Sequence, residues 1–455
     1  MRFAALICLI SAAALPTLSS SFPPVSRSPP SPFSTEENRP TSYSPESLSY
    51  DVMGSILESP SWFLNHELMW TYGAALINDG FHDMVSQWPN NTLNAVYNSQ
   101  VDVYLDHYYK VGHEGFKILH DTWIYDGYSI GDRIGLYPIS YLNRYDASPD
   151  PNPDDLRLAQ RVAQKHILGW SIRTSLGTIA RHVGWDSLPD GPSPKIWADD
   201  SFMGLTLLSR LARGDNLEEK DEDDTTTTNT TTVSAAIDFV SDQLVDFAKK
   251  LGRPDGLSAH GYAEGGDDGT SGASQSCCAW GRANGWLLMS FVETLTTLAE
   301  YSDRSDRGGG GGGRGDFEKV KSMFEDRAKA IRDRQDRTTG LWNQVLDEET
   351  TFLETSASAM FVYAFAEGAR RGFLPAAEYH DAIVNGWEGV SSRVDEDGKV
   401  QGICQPTGVK DDVEAYNSQK TDYWQSQESI GAVLKAAVAF DRYMSFYKEQ
   451  SRSDV

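Results

Sequence analysis

The sequence predicts an all-α protein, a toroid of helical hairpins, and two observations carry the prediction. Apolar residues recur at three- and four-residue spacing almost throughout, and runs of alternating β-branched residues are nearly absent. The helical pattern covers Asp154 to Ile179, Asp200 to Ala212, Ser234 to Leu251 and Ala283 to Tyr301. It resumes over Phe317 to Arg334, Glu354 to Gly372, Ala377 to Val390 and Tyr423 to Tyr447. Short segments rich in Gly, Trp and Asp join these stretches, among them Gly184 to Gly191, Gly261 to Cys278 and Thr339 to Asp347. Inner helices of such a ring would send those connectors to one face and form a central cleft. Periodicity alone leaves an α-solenoid or a large bundle open.

Outside the periodic stretches the chain sorts by composition. Arg2, the apolar run Phe3 to Ala14 and the small residues around Ser19 to Ser21 have the form of a cleaved secretory signal over residues 1–20. No later run approaches the ~20 apolar residues of a membrane helix, so a secreted, extracellular protein with no membrane partner is expected. Residues 21–46, rich in Ser and Pro, read as a tether, and 47–450 as a single catalytic domain. Two low-complexity inserts, 218–232 with its Thr tract and 303–315 with six consecutive glycines, read as surface loops.

A formal net charge of -25 argues against nucleic acid and anionic membranes as partners. It leaves room for an anionic sugar held in a local cationic pocket. Of four cysteines, Cys8 would leave with the signal. The remaining Cys277, Cys278 and Cys404 suggest a bridge from Cys404 to one of the adjacent pair. The nine histidines are scattered and no Cys/His spacing resembles a zinc site, so no metal is expected. Asn90 and Asn229 begin glycosylation sequons.

Three segments carry chemistry. In the first, Lys195 to Gly204, Asp199 and Asp200 stand at the start of an apolar helix just after Trp197. Acids there are favoured by the helix dipole and serve as simple caps. A Trp beside an acid is also what a sugar subsite needs, an apolar face with a proton donor nearby. In the second, Trp280 and Trp286 flank Arg282 and Asn284, and Arg282 offers a planar fork suited to a carboxylate. The bland alternative puts both tryptophans in the core and Arg282 in an ion pair. In the third, Trp342 and Gln344 precede the small-residue run Ser356 to Ala359, which reads as tight helix packing.

Taken in this order, the segments resemble the unsaturated rhamnogalacturonyl hydrolases, glycoside hydrolase family 105. That family shows Trp-x-Asp-Gly/Asp-x-Tyr-Met-Gly, then Trp-Gly-Arg-Gly/Ala-Asn-Gly-Trp, Gly-Leu-Trp-x-Gln-Val-Leu-Asp and Glu-x-Ser-Ala-Ser-Ala-Met-Phe. The chain carries counterparts at Trp197 to Gly204, Trp280 to Trp286, Gly340 to Asp347 and Glu354 to Phe361, and Trp70 to Gly73 looks like the family's first helix. The likeness spans about residues 60 to 445 and extends, more distantly, to the unsaturated glucuronyl hydrolases of family 88. It implies an (α/α)6 barrel and an enzyme that needs no metal or organic cofactor. Its substrate would be an anionic oligosaccharide, a pectin fragment ending in a 4,5-unsaturated uronic acid.

By the same resemblance Asp199 is the catalytic acid/base, Asp132 in Gly131 to Gly135 the second acid, and Asp200 has a lesser role. Arg282 and the flanking Trp280 and Trp286 match substrate-cleft positions, while Trp197, Asn284, Trp342 and Gln344 are substrate-binding candidates from the reading of their own segments. His182 matches a cleft histidine, though a lone histidine is as readily structural. Desolvation by Trp197 and a neighbouring acid would raise the pKa of Asp199, and the helix dipole would lower it, which leaves the sign open.

Overall fold

A computed structural model describes residues 44–57, 72–106, 135–181, 194–217, 232–265, 272–308, 314–419 and 429–453. In chain order its helices are α1 (Pro45–Leu57), α2 (Tyr72–Gln87), α3 (94–106), α4 (Ile139–Ala147) and α5 (Pro153–Val162). There follow α6 (Asp199–Arg213), α7 (Val233–Leu251), α8 (Gly281–Gly308), α9 (Arg314–Arg332), α10 (Thr355–Arg370) and α11 (Ala376–Ser391). The short α12 (Val413–Asn417) and α13 (Gly431–Ser453) complete them. Helices α6 and α10 are buried on nearly every face, as inner helices must be. Helices α7 and α11 bury one stripe and belong to the outer layer.

Contacts fix the direction of the inner helices. Ser201 meets Ser290 at 3.0 Å and Thr297 donates to the Ser209 carbonyl, so residues advance together along α6 and α8, which are parallel. Arg282 beside Ser356 and Gly285 against Met360 set the same sense for α8 and α10. The ring closes where α13 lies along α2. There a Cβ on Gly431 would come within 2.4 Å of the Leu76 backbone, and one on Gly80 within 2.8 Å of Leu434 Cβ. Glycine at both points lets the backbones touch, against a helix-propensity cost of roughly 0.5–1 kcal/mol each. Outer α1, α3, α5, α7, α9 and α11 alternate along the chain with inner α2, α4, α6, α8, α10 and α13, an (α/α)6 barrel.

Charges buried inside the ring are paired, since an isolated one would be costly. Lys435 donates to Asp79 at 2.6 Å and to Asp83 at 2.7 Å. Arg210 bonds Asp79 and reaches Glu293 at 2.8 Å, and Arg213 joins Glu293 at 3.1 Å. Four inner helices, α2, α6, α8 and α13, are thereby tied together. Among the described residues no helix is long and apolar enough to cross a membrane.

The helix expected over Asp154 to Ile179 is shorter. It ends in a π turn at Ala163–Leu168, and Gly169 stops it. Trp170 to Arg181 then folds back on itself through a turn at Thr174–Gly177 that bridges Arg173 with Ile179, and Arg181 goes on to bridge Lys195. Arg173 satisfies the loose carbonyls of Ile167, Leu168, Trp170 and Gly177, which makes that exit stable without further turns. The glycine-rich insert also shrinks: α8 runs on to Gly308 and α9 begins at Arg314. Of the 218–232 insert only Thr232 is described, and its hydroxyl caps α7 by accepting from Ala235 N–H at 3.2 Å. Pro45 and Glu46, at the end of the expected tether, already belong to α1, whose start Ser44 caps.

Candidate active site

The site grows from short strands that the helical pattern hides. Strand β1 (Lys195–Trp197) pairs antiparallel with β2 (Gly261–Ala263), which pairs with β3 (Ser274–Gln275); Trp197 faces Gly261. One residue further, Ala198 N–H donates to the His260 carbonyl at 2.9 Å. That ladder brings His260 beside Asp199, the first residue of α6. Nε2 of His260 lies 3.2 Å from Oδ2 of Asp199. The approach is oblique, and neither atom has a directed hydrogen-bond partner. The indole N–H groups of Trp197 and Trp280 share that state. Trp280 packs 4.3 Å from the imidazole and Trp197 5.5 Å from it, centroid to centroid.

Burial alone would raise the pKa of Asp199. Its contact with His260 and the charges of Arg181 and Arg282 outweigh burial and hold the carboxyl below the usual range. Burial pushes His260 below its ordinary value, Arg181 and Arg282 act in the same sense, and Asp199 opposes them. At neutral pH a carboxylate therefore faces a neutral imidazole.

The two adjacent acids part company, as successive residues on a helix must, about 100° apart. Asp200 accepts a fork from Arg181, Nε at 2.9 Å and Nη2 at 2.5 Å, with both side chains buried. The Arg181 guanidinium lies 4.0 Å over the Trp197 ring. Asp200 thus anchors the cleft wall instead of reaching toward a ligand.

The expected fork for a substrate carboxylate is also committed elsewhere. Arg282 is buried and donates to the carbonyls of Cys404 at 2.8 Å and Gln405 at 2.6 Å. Asn284 clasps Ser258, donating to its carbonyl and accepting from its N–H, both at 2.9 Å. Trp286 is buried between Tyr72 and Phe202. Trp342 is a core ring, packed on Phe361 and Phe365 with its N–H on the Ile331 carbonyl at 2.7 Å. Gln344 donates to Cys404 Sγ at 2.8 Å and to the Tyr416 carbonyl at 3.2 Å. These residues build the shell, and Trp197 and Asp199 keep some exposure at its centre.

The cysteine expectation is corrected: Cys277 and Cys278 bridge each other, and Cys404 is a buried free thiol. Cys404 is enclosed by Gln344, Thr407 and Arg282, which keeps its sulfur for hydrogen bonding. Asp132, His182 and the sequon at Asn229 lie outside the described residues. His260, Arg181 and Tyr416 are the neighbours of this acid pair that the sequence reading did not single out. Each stands alone in a short polar stretch, and the partner that gives it meaning lies on another element. Among the described residues no group of three or more His, Cys, Asp or Glu could hold a metal ion.

A family model for Glycosyl Hydrolase Family 88 matches residues 59–444, which takes in every segment of this site. The chain belongs to family 88. A family 105 glycoside hydrolase from C. acetobutylicum shares the fold, with a TM-score of 0.63 at 21% identity, covering 87% of this chain and 99% of that one. Among curated relatives, a 24.9 kDa protein in the picA locus of Rhizobium radiobacter is 30% identical over 165 residues, 34% of this chain and 63% of that protein. The unsaturated rhamnogalacturonyl hydrolase YesR of Bacillus subtilis is 28% identical over 137 residues, 30% of this chain and 34% of YesR. This family 88 chain therefore spans less than two thirds of the length of either curated relative.

Proposed function

We propose that this chain removes the terminal 4,5-unsaturated uronic acid from lyase-generated rhamnogalacturonan oligosaccharides by hydrating its vinyl ether. The observation that carries the proposal is Asp199, a carboxyl set against a neutral imidazole among indole rings, while the nearby acids are occupied. Asp200 is held by Arg181, and Glu354 caps α10 by accepting from Ser356 and Ala357. Ordinary glycosidases work with two carboxyl groups roughly 5–9.5 Å apart across the scissile bond. Hydration of an enol ether needs a single acid/base.

In this scheme the Asp199–His260 pair delivers a proton to C4, and the carboxylate then takes one from the water that adds to C5. The resulting hemiketal opens, the glycosidic bond breaks with the aglycone leaving as its alcohol, and no covalent glycosyl-enzyme forms. The half-buried Trp197 ring beside Asp199 offers an apolar face for the sugar. The resemblance to YesR supports the pectin substrate. The family 88 match favours a sibling reading, unsaturated glucuronyl groups from other polysaccharides. An apolar leader and the Cys277–Cys278 bridge support placing the enzyme outside the cell.

The test is loss of the enoate's near-ultraviolet absorbance with lyase-treated rhamnogalacturonan and lyase-treated glycosaminoglycan offered side by side. Faster loss on the first is expected, and faster loss on the second installs the sibling reading. If both keep their absorbance while saturated oligosaccharides are cleaved, the hydration scheme is wrong.

A further inference from the structure

We infer that Tyr416 is a positioning residue of this site: its hydroxyl donates to His260 Nδ1 and so selects the imidazole tautomer whose Nε2–H faces Asp199. The inference rests on the reading of Asp199 as the acid/base. Tyr416 is fully buried in α12, with its hydroxyl 2.8 Å from Nδ1. Its ring stacks on Trp280 at 6.0 Å and 24°.

The proton assignment follows from both sides of the imidazole. An ionised carboxylate 3.2 Å away repels a nitrogen lone pair and attracts an N–H, so even without a directed hydrogen bond the nitrogen facing Asp199 is the one that carries the hydrogen. In a neutral ring Nδ1 is then an acceptor, and the group opposite it must donate. The Tyr416 oxygen accepts the Lys410 N–H at 3.1 Å, which suits an O–H turned toward Nδ1. The other charged groups acting on the ring are Arg181 and Arg282, and both disfavour a second proton on it. Arg282 has a further part here. By holding the carbonyls of Cys404 and Gln405 it ties the start of the loop that carries Tyr416 to the barrel. Gln344, on the Tyr416 carbonyl, holds its other end. The Trp280 to Trp286 segment and the third motif would thus act on the acid/base through one phenol.

The decisive measurement is the nitrogen spectrum of the wild-type protein labelled with ¹⁵N-histidine at neutral pH, with His260→Gln assigning the signal. A protonated Nε2 and a bare Nδ1 are expected; a protonated Nδ1 overturns the inference. Tyr416→Phe keeps the ring and its stacking and removes only the donor. It should mix the two tautomers and lower kcat by about 10–100-fold, the magnitude seen when a metal-bound imidazole loses its orienting partner, with KM little changed. Unchanged tautomer and kcat in that variant would also overturn it, and if the variant fails to fold the wild-type spectrum still decides. Should the wild type ignore every enoate substrate, the functional proposal falls while the spectrum continues to test Tyr416 by itself.

Discussion

The adjacent acids at the head of α6 give a sharp double test. Asp199→Asn keeps the shape of the side chain and removes the proton, and the fork on Asp200 is untouched. General acid/base catalysis contributes roughly 10²–10⁴-fold, so turnover should fall by about that factor with little change in melting. Asp200→Asn does the reverse. It presents an amide to a buried guanidinium that is now held at 2.9 and 2.5 Å. Removing one partner of a buried ion pair costs about 3–5 kcal/mol, a large share of the roughly 5–15 kcal/mol that holds a domain folded. Arg181 also covers Trp197, so loosening it disturbs one wall of the site. Urea unfolding followed by circular dichroism, with enoate absorbance as the activity assay, separates the two effects. A stable but dead Asp200→Asn beside an active Asp199→Asn would refute the assignment and shift the chemistry to the second acid.

Because Asp199 and His260 are both held below their ordinary values, the pair gains its extra proton only in acid. kcat/KM should therefore rise as pH falls from 7 through the lowered His260 value, and decline again below the lowered Asp199 value; His260→Gln should move the alkaline limb down into the range of the Asp199 carboxyl. Deeper in the ring, burial would raise Glu293, but Arg210 and Arg213 take it down to about 2. A carboxyl depressed by folding stabilises above its unfolded pKa of ~4.3 and loses that as pH falls toward the folded value, here worth about 3 kcal/mol. Acid unfolding of the wild type should steepen across that window, while Glu293→Gln should be less stable at pH 7 and flatter there. Arg282→Lys cannot reach both carbonyls with a point charge. Losing one charged hydrogen bond should cost about 1.5–3 kcal/mol and lower kcat through the loosened Tyr416 loop; a pure rise in KM would restore Arg282 to the substrate.

The helices were legible because a buried stripe repeats every turn, and eight apolar stretches announced eight real helices. Where a stretch overran, as at Gly169, the stop was a single glycine followed by polar residues that pair across a bridge. Asp199 and Trp197 could be found because they sit within one motif, and the structure brings Trp280 from the second one to the same imidazole. His260 could not be found that way. Its chemistry comes from a three-residue strand pairing, too short to leave an alternating pattern, and from a tyrosine far along the chain. The same distance hid the Arg181–Asp200 pair, and without it Asp200 looked as available as its neighbour. Arg282 and Gln344 misled in the opposite way, since side chains suited to ligands serve equally well to hold backbone carbonyls and a thiol.

The seam between α2 and α13 has a consequence for how the chain reaches its fold. Leu76, Asp79 and Gly80 belong to the first inner helix, and their partners Gly431, Leu434 and Lys435 leave the ribosome far later, Lys435 356 residues after Asp79. Domains ordinarily begin to fold during synthesis, N-terminal parts first. Here the opening helix must wait, with a buried-type aspartate and a bare glycine groove uncovered, until α13 has been made. Nascent chains stopped before Gly431 would be an open arc, prone to take α13 from a neighbour, and the exchange of that ring-closing helix between two copies is the misassembly this topology invites.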